Sequence, residues 1–282
     1  MHFISEISSG GVSQRGFTVD GVPGVLWQPD GLPHAGGVNR EGLHGAGLHG
    51  AGLHGAGLHS EGRHAGRPLV LLGHGGGGDK LRMAEQARRC VARYGFAAVA
   101  LDAPGHGERP RTAQDERFVT EIAELLAARR PISAWVARHT AALAERAVPE
   151  WVAVLDALGE AGEDFGPVGF WGLSLGSVVG IPLAAAEPRI AAAVFGLAGH
   201  AAQTEAAARV NVPMEFVLQW DDELVPREGA LALFGAFGSR EKTLHANPGG
   251  HVEVPEFQLA ASERFLARHL AQHLGRDLDI TE

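Results

Sequence analysis

The chain has 282 residues, a formal charge of −9, 45% apolar residues and a single cysteine, Cys90. This length and apolar content predict one large α/β domain over residues 1–282. The negative net charge and the absence of a Lys/Arg run argue against nucleic acid or anionic membrane as the main partner. One cysteine excludes an intrachain disulfide and a multi-thiolate zinc site. A small molecule is therefore the expected partner, and the oligomeric state stays open.

The first residues, MHFISEISSGG, lack a basic start followed by a long apolar run. No later segment approaches the roughly 18 apolar residues of a membrane span. These features predict a soluble, cytoplasmic protein.

Residues 42–59 repeat the unit GLHGA. A five-residue period keeps neither the leucines nor the histidines on one side of a helix or a strand, so the repeat predicts a flexible surface loop. The alternative is a metal site, because His44, His49, His54 and His59 carry imidazoles that bind zinc, nickel or copper. Ordering a glycine-rich loop around an ion costs considerable entropy, so we expect no metal in this loop.

Seven apolar runs beyond the N-terminus predict β-strands. They cover residues 24–28, 68–74, 96–104, 168–174, 190–199, 214–222 and 242–250. Most lack polar alternation, which is typical of strands buried on both faces of a parallel sheet.

Helical patterns alternate with these runs. They cover residues 80–94, 149–161, 177–187, 227–237 and 255–273. The alternation predicts a doubly wound, mostly parallel sheet, with functional residues just beyond the carboxyl ends of the strands.

Residues 110–147 interrupt this rhythm with two or three helical stretches separated by Pro131, and a new helix is predicted to begin near Pro149. An insertion at this point lies above the strand ends, so it predicts a small helical lid. Its apolar side chains either form an acyl pocket or are buried against the body of the lid: Phe118, Ile122, Leu125, Leu126, Trp135 and Leu143.

The stretch GHGGGGDK, residues 73–80, follows the second predicted strand. Its four glycines let backbone N–H groups approach a ligand, and the amide of Gly76 is a candidate donor to an oxyanion. The phosphate-loop pattern is absent. A dinucleotide site remains as a rival, because Asp102 follows the next strand as a ribose ligand would.

The stretch GFWGLSLGSVVG places Ser174 between Gly172 and Gly176, after an apolar run and before a predicted helix. A strained strand-to-helix turn of this composition raises a serine oxygen for nucleophilic attack, and the amide of Leu175 at the helix start is a second oxyanion donor. A glycine-rich turn without chemistry is the alternative, because a chain of this composition contains about 0.2 such motifs by chance.

Two further candidates follow later strands. In QWDDELVP, the setting D-x-x-V-P favours Asp222 over Asp221 as a carboxylate that orients a histidine. In NPGGHVEVP, His251 lies in a Gly/Pro-rich loop after the last predicted strand. Ser174, Asp222 and His251 thus occur in the chain order of a hydrolase triad, each after its own strand.

Five motifs together resemble the α/β-hydrolase superfamily, and within it the dienelactone-hydrolase-like and esterase-like branch: LLGHGGGG, ALDAPGHGER, GFWGLSLGS, QWDDELVP and NPGGHVEVP. The resemblance implies Ser174 as nucleophile, His251 as base, Asp222 as its orienting group, and the Gly76 and Leu175 amides as the oxyanion hole. Dienelactone hydrolases use a cysteine where this chain has serine, which argues against a dienelactone substrate.

The expected activity is hydrolysis of an ester, lactone or thioester through an acyl-enzyme, a mechanism that needs no metal and no organic cofactor. Arg109 is a candidate to bind a substrate carboxylate, with bracing of the loops by pairing to Asp79, Asp102 or Glu108 as the alternative. His74 and Trp135 are further candidates for substrate contact. A non-catalytic binding protein on the same scaffold is the rival from another class.

Overall fold

The computed structural model of the protein describes residues 1–31, 66–130 and 132–273. The predicted repeat loop at 42–59, with its four histidines, and Pro131 lie outside the described residues.

The strands of the described chain form a single mixed sheet. They are β1 (His2–Ser9), β2 (Val12–Val19), β3 (Val22–Pro29), β4 (Arg67–Gly73), β5 (Ala97–Leu101), β6 (Phe165–Gly172), β7 (Ile190–Gly196), β8 (Met214–Gln219) and β9 (Lys242–Asn247). The strand order is β1-β2-β3-β5-β4-β6-β7-β8-β9. Strands β4 to β9 pair in parallel, whereas β1, β2 and β3 pair antiparallel and join through β3 to β5. The prediction of a mostly parallel sheet is confirmed.

Helices cover both faces of this sheet. Within the described residues they are α1 (Ala84–Tyr94), α2 (Ala113–Ala127), α3 (Ser133–Glu160), α4 (Leu175–Ala186), α5 (Thr204–Arg209), α6 (Arg227–Ala236) and α7 (Glu256–His273). Buried residues of α3, α4, α5 and α6 pack on one face, and those of α1 and α7 pack on the other. None of the described helices is long and apolar enough to cross a bilayer.

The absence of polar alternation in the central strands follows from this layering. Successive side chains of a strand point to opposite faces, so Leu69 and Leu71 join the first core while Val70 and Leu72 join the second. All four are fully buried, and each contributes about 1.5–3 kcal/mol relative to an exposed position.

Strands β1 and β2 were not predicted. Their sequences, HFISEISS and VSQRGFTV, mix polar and apolar residues, and β1 is largely exposed at the edge of the sheet. The exposed edge position accounts for the polar residues of β1. Strand β2 is largely buried, but its polar side chains have partners, because Arg15 pairs with Glu163 and Gln14 accepts from Trp27 Nε1. The continuous apolar signal of the central strands is therefore missing from both.

The prediction of a helix that begins near Pro149 is wrong, because α3 runs unbroken through this proline. Pro149 lies on the exposed face, where water can hydrate the carbonyl that loses its N–H partner. On the opposite face, a stripe of buried side chains continues past the proline and stabilises one long helix: Leu143, Ala147, Trp151, Val154 and Leu158. The predicted lid range, 110–147, therefore ends inside α3.

Cys90 lies in α1 with 4% of its surface exposed. Burial raises the pKa of its thiol to about 12, which describes an inert core thiol. The predicted helix at 80–94 opens as a short 3₁₀ turn (Lys80–Met83), where the Asp79 side chain accepts hydrogen bonds from two backbone amides.

Candidate active site

The loops that follow β4 to β9 meet at one edge of the sheet because these strands are parallel. The predicted site residues lie in these loops or at the start of the helices that follow them. The candidate site is therefore built from segments far apart in sequence.

Ser174 occupies the turn between β6 and α4 with φ 56° and ψ −117°. A non-glycine residue in this region of backbone space costs about 1–3 kcal/mol and is held there by its surroundings. Part of that restraint is the hydrogen bond from the Ser174 amide to the Gly196 carbonyl, 3.0 Å, at the end of β7.

The glycines around Ser174 are required by close backbone contacts. A Cβ on Gly176 would lie 2.4 Å from the Gly73 carbonyl oxygen, and one on Gly172 would lie 2.8 Å from the carbonyl carbon of Gly176. Both distances are too short for carbon, so α4 reaches this position over β4 only without side chains there. The spacing of glycines in the sequence reflects this crossing.

Ser174, His251 and Asp222 form one hydrogen-bonded chain. His251 Nε2 lies 2.9 Å from Ser174 Oγ, and His251 Nδ1 lies 2.8 Å from Asp222 Oδ2. The His251 and Asp222 side chains are 8% and 4% exposed, so the pair is shielded from solvent. The carboxylate acceptor places the imidazole proton on Nδ1, which leaves Nε2 free to take a proton from the serine.

The Asp222 carboxylate is fixed on both oxygens. Its Oδ1 accepts hydrogen bonds from the backbone amides of Leu224 and Val225, both 2.8 Å. Burial alone would raise the pKa of this carboxyl, but the hydrogen bonds from His251 and the two amides hold it below its ordinary value. Asp222 is therefore ionised at neutral pH. Asp221 is exposed and accepts instead from the Gly249 amide, 3.3 Å.

The glycine loop after β4 lies beside the serine, and Gly76 and Leu175 both line the same cavity as Ser174 and His251. Gly77 has φ +74°, and the Gly78 amide donates to the Gly75 carbonyl, 3.1 Å, so the loop is a tight turn. The Leu175 amide belongs to the first turn of α4, where helix N–H groups have no intrahelical acceptor.

His74 supports this turn from beneath. The Ala103 amide donates to His74 Nε2, 3.1 Å, so the ring proton is on Nδ1, which donates to the Gly75 carbonyl, 2.8 Å. Burial lowers the pKa of His74 and keeps it neutral. The described lining of the cavity does not include His74, so its expected role in substrate contact is corrected to positioning the Gly75 turn.

Asp102 is fully buried and accepts from the Lys80 ammonium, 2.8 Å, and from the backbone amides of Lys80 and Glu108, both 2.9 Å. A Cβ on Gly107 would lie 2.2 Å from its carboxyl carbon. This carboxylate has no room for a ribose, so the dinucleotide alternative is wrong.

Arg109 is engaged by an acidic side chain rather than available to a substrate. Its guanidinium donates two hydrogen bonds to Glu150, both 2.7 Å, and a third to the Asp102 carbonyl, 3.3 Å. These contacts support the alternative that Arg109 braces the loops. Its carboxylate partner is Glu150 of α3, however, and not the expected Asp79, Asp102 or Glu108.

Trp135 also lies outside the described cavity lining. Its ring stacks on Phe118, with ring centroids 4.5 Å apart, and Phe118 does line the cavity. Phe118, Ile122 and Leu143 of the predicted lid line the cavity that holds Ser174, whereas Leu125 is not part of the described lining and the side chain of Leu126 is outside the described residues.

The cavity between the strand ends and helices α2 and α3 has a volume of about 410 Å³. Apolar side chains from the lid and the body cover most of it: Phe118, Val119, Ile122, Ile132, Val136, Leu143, Val178, Leu197, Leu224 and Val225. Polar side chains other than the triad also line it: His106, Arg111, Asp115, His139 and His200. Such a cavity suits a small, mostly apolar ligand with a few polar groups.

His200 is a lining residue that sequence reasoning missed. It follows the predicted strand at 190–199 directly, so the rule that functional residues come just after strands identifies it. No group of three or more His, Cys, Asp or Glu side chains within the described residues is arranged to bind a metal ion.

Solved structures resemble the whole chain. A cold-adapted esterase from an Arctic intertidal metagenomic library, in a PEG-bound complex, is 32% identical over 96% of this chain and 100% of its own, with a TM-score of 0.67. Est1E from Butyrivibrio proteoclasticus, with ferulic acid bound, is 16% identical over 91% of this chain and 98% of its own, with a TM-score of 0.58.

The monoacylglycerol lipase of Paleococcus ferrophilus is 19% identical over 74% of this chain and 96% of its own, with a TM-score of 0.51. Its likeness and that of Est1E, at these identities, concern the fold alone. No protein-family model and no curated protein sequence matches the chain.

Proposed function

The chain belongs to the α/β-hydrolase superfamily, and from this membership we propose that it hydrolyses carboxylic esters of small molecules through an acyl-enzyme on Ser174. The observation that carries the proposal is the hydrogen-bonded chain from Ser174 through His251 to Asp222 on a strained turn. The 32% identical structure of a cold-adapted esterase supports the ester as the bond that is cleaved.

The first half of the reaction forms the acyl-enzyme. His251 Nε2 accepts the hydroxyl proton as Ser174 Oγ attacks the ester carbonyl, and Asp222 stabilises the imidazolium that results. The Gly76 and Leu175 amides donate to the oxyanion of the tetrahedral intermediate. The intermediate collapses, the carbon–oxygen bond to the alcohol breaks, and His251 returns the proton to the departing alcohol.

The second half regenerates the serine. His251 takes a proton from a water that attacks the acyl carbonyl, the same two amides hold the second oxyanion, and the serine oxygen leaves with that proton. The balance is one ester and one water consumed, and one carboxylic acid and one alcohol released. A lactone or thioester satisfies the same groups, because each presents an acyl carbonyl with a leaving oxygen or sulfur.

We propose that the chain is related to the dienelactone-hydrolase-like branch, but we do not propose a dienelactone as its substrate. The nucleophile position holds Ser174, and the thiol of Cys90 is buried in α1 with its pKa raised to about 12. We therefore propose an oxygen nucleophile. Alkylating agents directed at thiols should leave ester turnover unchanged.

The test is intact-protein mass spectrometry after incubation with a fluorophosphonate, with peptide mapping of the adduct. We expect one adduct on Ser174, because its oxygen is paired to His251 Nε2. Ser174→Ala should prevent the adduct and lower kcat for p-nitrophenyl butyrate by about 10⁶-fold without loss of fold.

Ser9→Ala is the matched control, because Ser9 is an exposed serine of the edge strand β1. It should keep both labelling and turnover. A folded wild-type protein that takes no adduct and cleaves no ester would instead favour a non-catalytic binding protein on this scaffold.

A further inference from the structure

The polar side chains that line the cavity outside the triad differ in how far other protein groups engage them. Asp115 accepts from the Thr112 amide and hydroxyl, both 2.8 Å, and from Arg146, 3.1 Å. His106 shares its Nδ1 with the Pro104 carbonyl, 3.0 Å. These two groups are occupied in holding the loop after β5 and the start of α2.

His139 of α3 also has protein neighbours. The His139 ring stacks on Phe118 with centroids 3.5 Å apart, and its Nε2 lies 4.0 Å from Asp115 Oδ1. Arg111 lines the cavity but is itself exposed to solvent. The His139 ring is held by stacking and faces the Asp115 carboxylate, and Arg111 is open to solvent.

Among the described residues, His200 differs from His139 because it has neither a stacked ring nor an ion-pair partner. Within the described chain, neither nitrogen of its ring has a hydrogen-bond partner, although the residue is only partly exposed and lines the cavity with Ser174 and His251. Burial lowers its pKa, so the imidazole is neutral at pH 7. A neutral imidazole offers one N–H donor and one nitrogen acceptor to whatever occupies the cavity.

The backbone that carries His200 is held from the side of the nucleophile. The Gly196 carbonyl accepts from the Ser174 amide, 3.0 Å, and the Gly196 amide donates to Ser177 Oγ, 2.8 Å. Leu197 follows with φ 52°, a strained conformation for leucine, and it also lines the cavity. The position of the segment from Gly196 to His200 is therefore fixed relative to the turn that carries Ser174.

The same segment is held from the other side by α6. A Cβ on Gly199 would lie 2.7 Å from the Ala230 amide nitrogen, and one on Gly229 would lie 2.6 Å from the Gly199 carbonyl oxygen. The two backbones thus touch directly. A side chain carried by so constrained a segment has a defined position relative to Ser174.

We propose that His200 is a substrate-positioning residue, and that the natural substrate is an ester with a neutral hydroxyl group on its acyl or alcohol part. The inference rests on the proposed function. A hydroxyl can pair with either ring nitrogen of a neutral imidazole, because it can donate to the bare nitrogen or accept from the N–H, whereas a carboxylate can only accept from the N–H. The largely apolar remainder of the cavity takes the carbon skeleton.

The experiment compares three esters of matched skeleton: propyl butyrate, glycerol monobutyrate and propyl 3-hydroxybutyrate. We expect the wild type to have a higher kcat/KM for at least one hydroxylated ester than for propyl butyrate. His200→Phe should lower kcat/KM for that ester by about 10-fold, mainly through KM, and change propyl butyrate less than twofold.

His200→Gln keeps a donor and an acceptor, so it should restore part of the preference that the phenylalanine variant loses. His2→Phe is the matched control, because His2 is an exposed histidine of β1 far along the sheet from the cavity loops. It should keep all three rates. Thermal melts verify that each variant is folded.

Two results would overturn the inference while ester hydrolysis stands: a wild type without preference for either hydroxylated ester, or a folded His200→Phe that slows all three esters equally. If His200→Phe does not fold, the wild type and His200→Gln decide. A wild-type preference that is partly lost in His200→Gln supports the inference, and a preference that His200→Gln leaves unchanged contradicts it. No turnover of any of the three esters, together with no fluorophosphonate adduct, would overturn the proposed function itself.

Discussion

Asp221 and Asp222 are neighbours in sequence, yet the structure gives them different surroundings. The Asp222 side chain is 4% exposed and contacts His251, whereas Asp221 is exposed at the surface and its side chain accepts a hydrogen bond from the Gly249 amide. The hydrogen bonds to Asp222 hold its pKa below the ordinary value despite burial. At the residue scale, the contacts therefore decide which of two identical side chains is equipped to orient a base.

Asp222→Asn should lower kcat for p-nitrophenyl butyrate by about 10⁴-fold, because the amide no longer fixes the Nδ1–H tautomer of His251. Asp221→Asn is the matched control and should keep turnover within about twofold. Equal losses in the two variants, or none in Asp222→Asn, would contradict the assignment.

The same variant tests the pKa of Asp222. A carboxyl with a lowered pKa in the folded state stabilises the protein above its ordinary pKa, and this contribution disappears as pH falls through the folded-state value. Urea unfolding should therefore show wild type more stable than Asp222→Asn at pH 7, with a difference that shrinks below about pH 4. A difference independent of pH would argue against an ionised Asp222.

At the scale of elements, the packing of α4 on the sheet depends on Gly180 as well as on the glycines beside Ser174. A Cβ on Gly180 would lie 2.0 Å from the ring of Phe170, which is fully buried in β6. The helix that carries the Leu175 amide therefore approaches the sheet as closely as this ring allows.

Gly180→Ala should lower the free energy of unfolding by about 1–3 kcal/mol, because the added methyl displaces the Phe170 ring. Phe170→Leu should relieve part of that clash, so the double variant should be more stable than the sum of the single effects predicts. Urea denaturation measures all four proteins of the cycle.

Gly235→Ala in α6 is the matched helix control, since a Cβ there would meet nothing within 4 Å. It should stabilise the protein by about 0.5–1 kcal/mol through the lower conformational entropy of the unfolded chain. A Gly180→Ala that behaves like Gly235→Ala would show that α4 tolerates more distance from the sheet.

At the scale of the whole molecule, the cavity lies between the strand ends and helices α2 and α3, and side chains of both helices line it. Arg109 ties the loop after β5 to α3 through Glu150, and Phe118 of α2 and Leu143 of α3 line the cavity beneath. A volume of about 410 Å³ holds roughly 14 non-hydrogen atoms at about 30 Å³ each. A cavity of this volume should therefore limit substrate size.

Methyl esters of fatty acids test this limit. We expect kcat/KM to fall by about 10-fold or more beyond the decanoate, whose methyl ester has roughly the atom count that the cavity holds. Phe118→Ala should move the optimum to longer chains, because it removes a ring from the cavity wall.

Phe257→Ala, a substitution of an exposed phenylalanine of α7, should leave the optimum where it is. A chain-length profile without an upper limit would show that the lid opens to admit substrates larger than the cavity.

The sequence by itself determined the sheet class, most of the central strands, and the residues that meet at their carboxyl ends. These follow from local physics: continuous apolar runs report burial on both faces, and glycines at fixed spacing around Ser174 report a turn with no room for side chains. The chain order of Ser174, Asp222 and His251 then indicated that the three residues meet.

Only the tertiary structure decided which partner each polar side chain takes. Arg109 pairs with Glu150, Asp102 is buried under Lys80, and α3 continues through Pro149 because a buried stripe outweighs one lost hydrogen bond on an exposed face. That the ring nitrogens of His200 lack hydrogen-bond partners within the described chain is likewise known only from the structure. Pairing and cavity shape depend on contacts between segments distant in the chain, and periodicity and spacing report local structure alone.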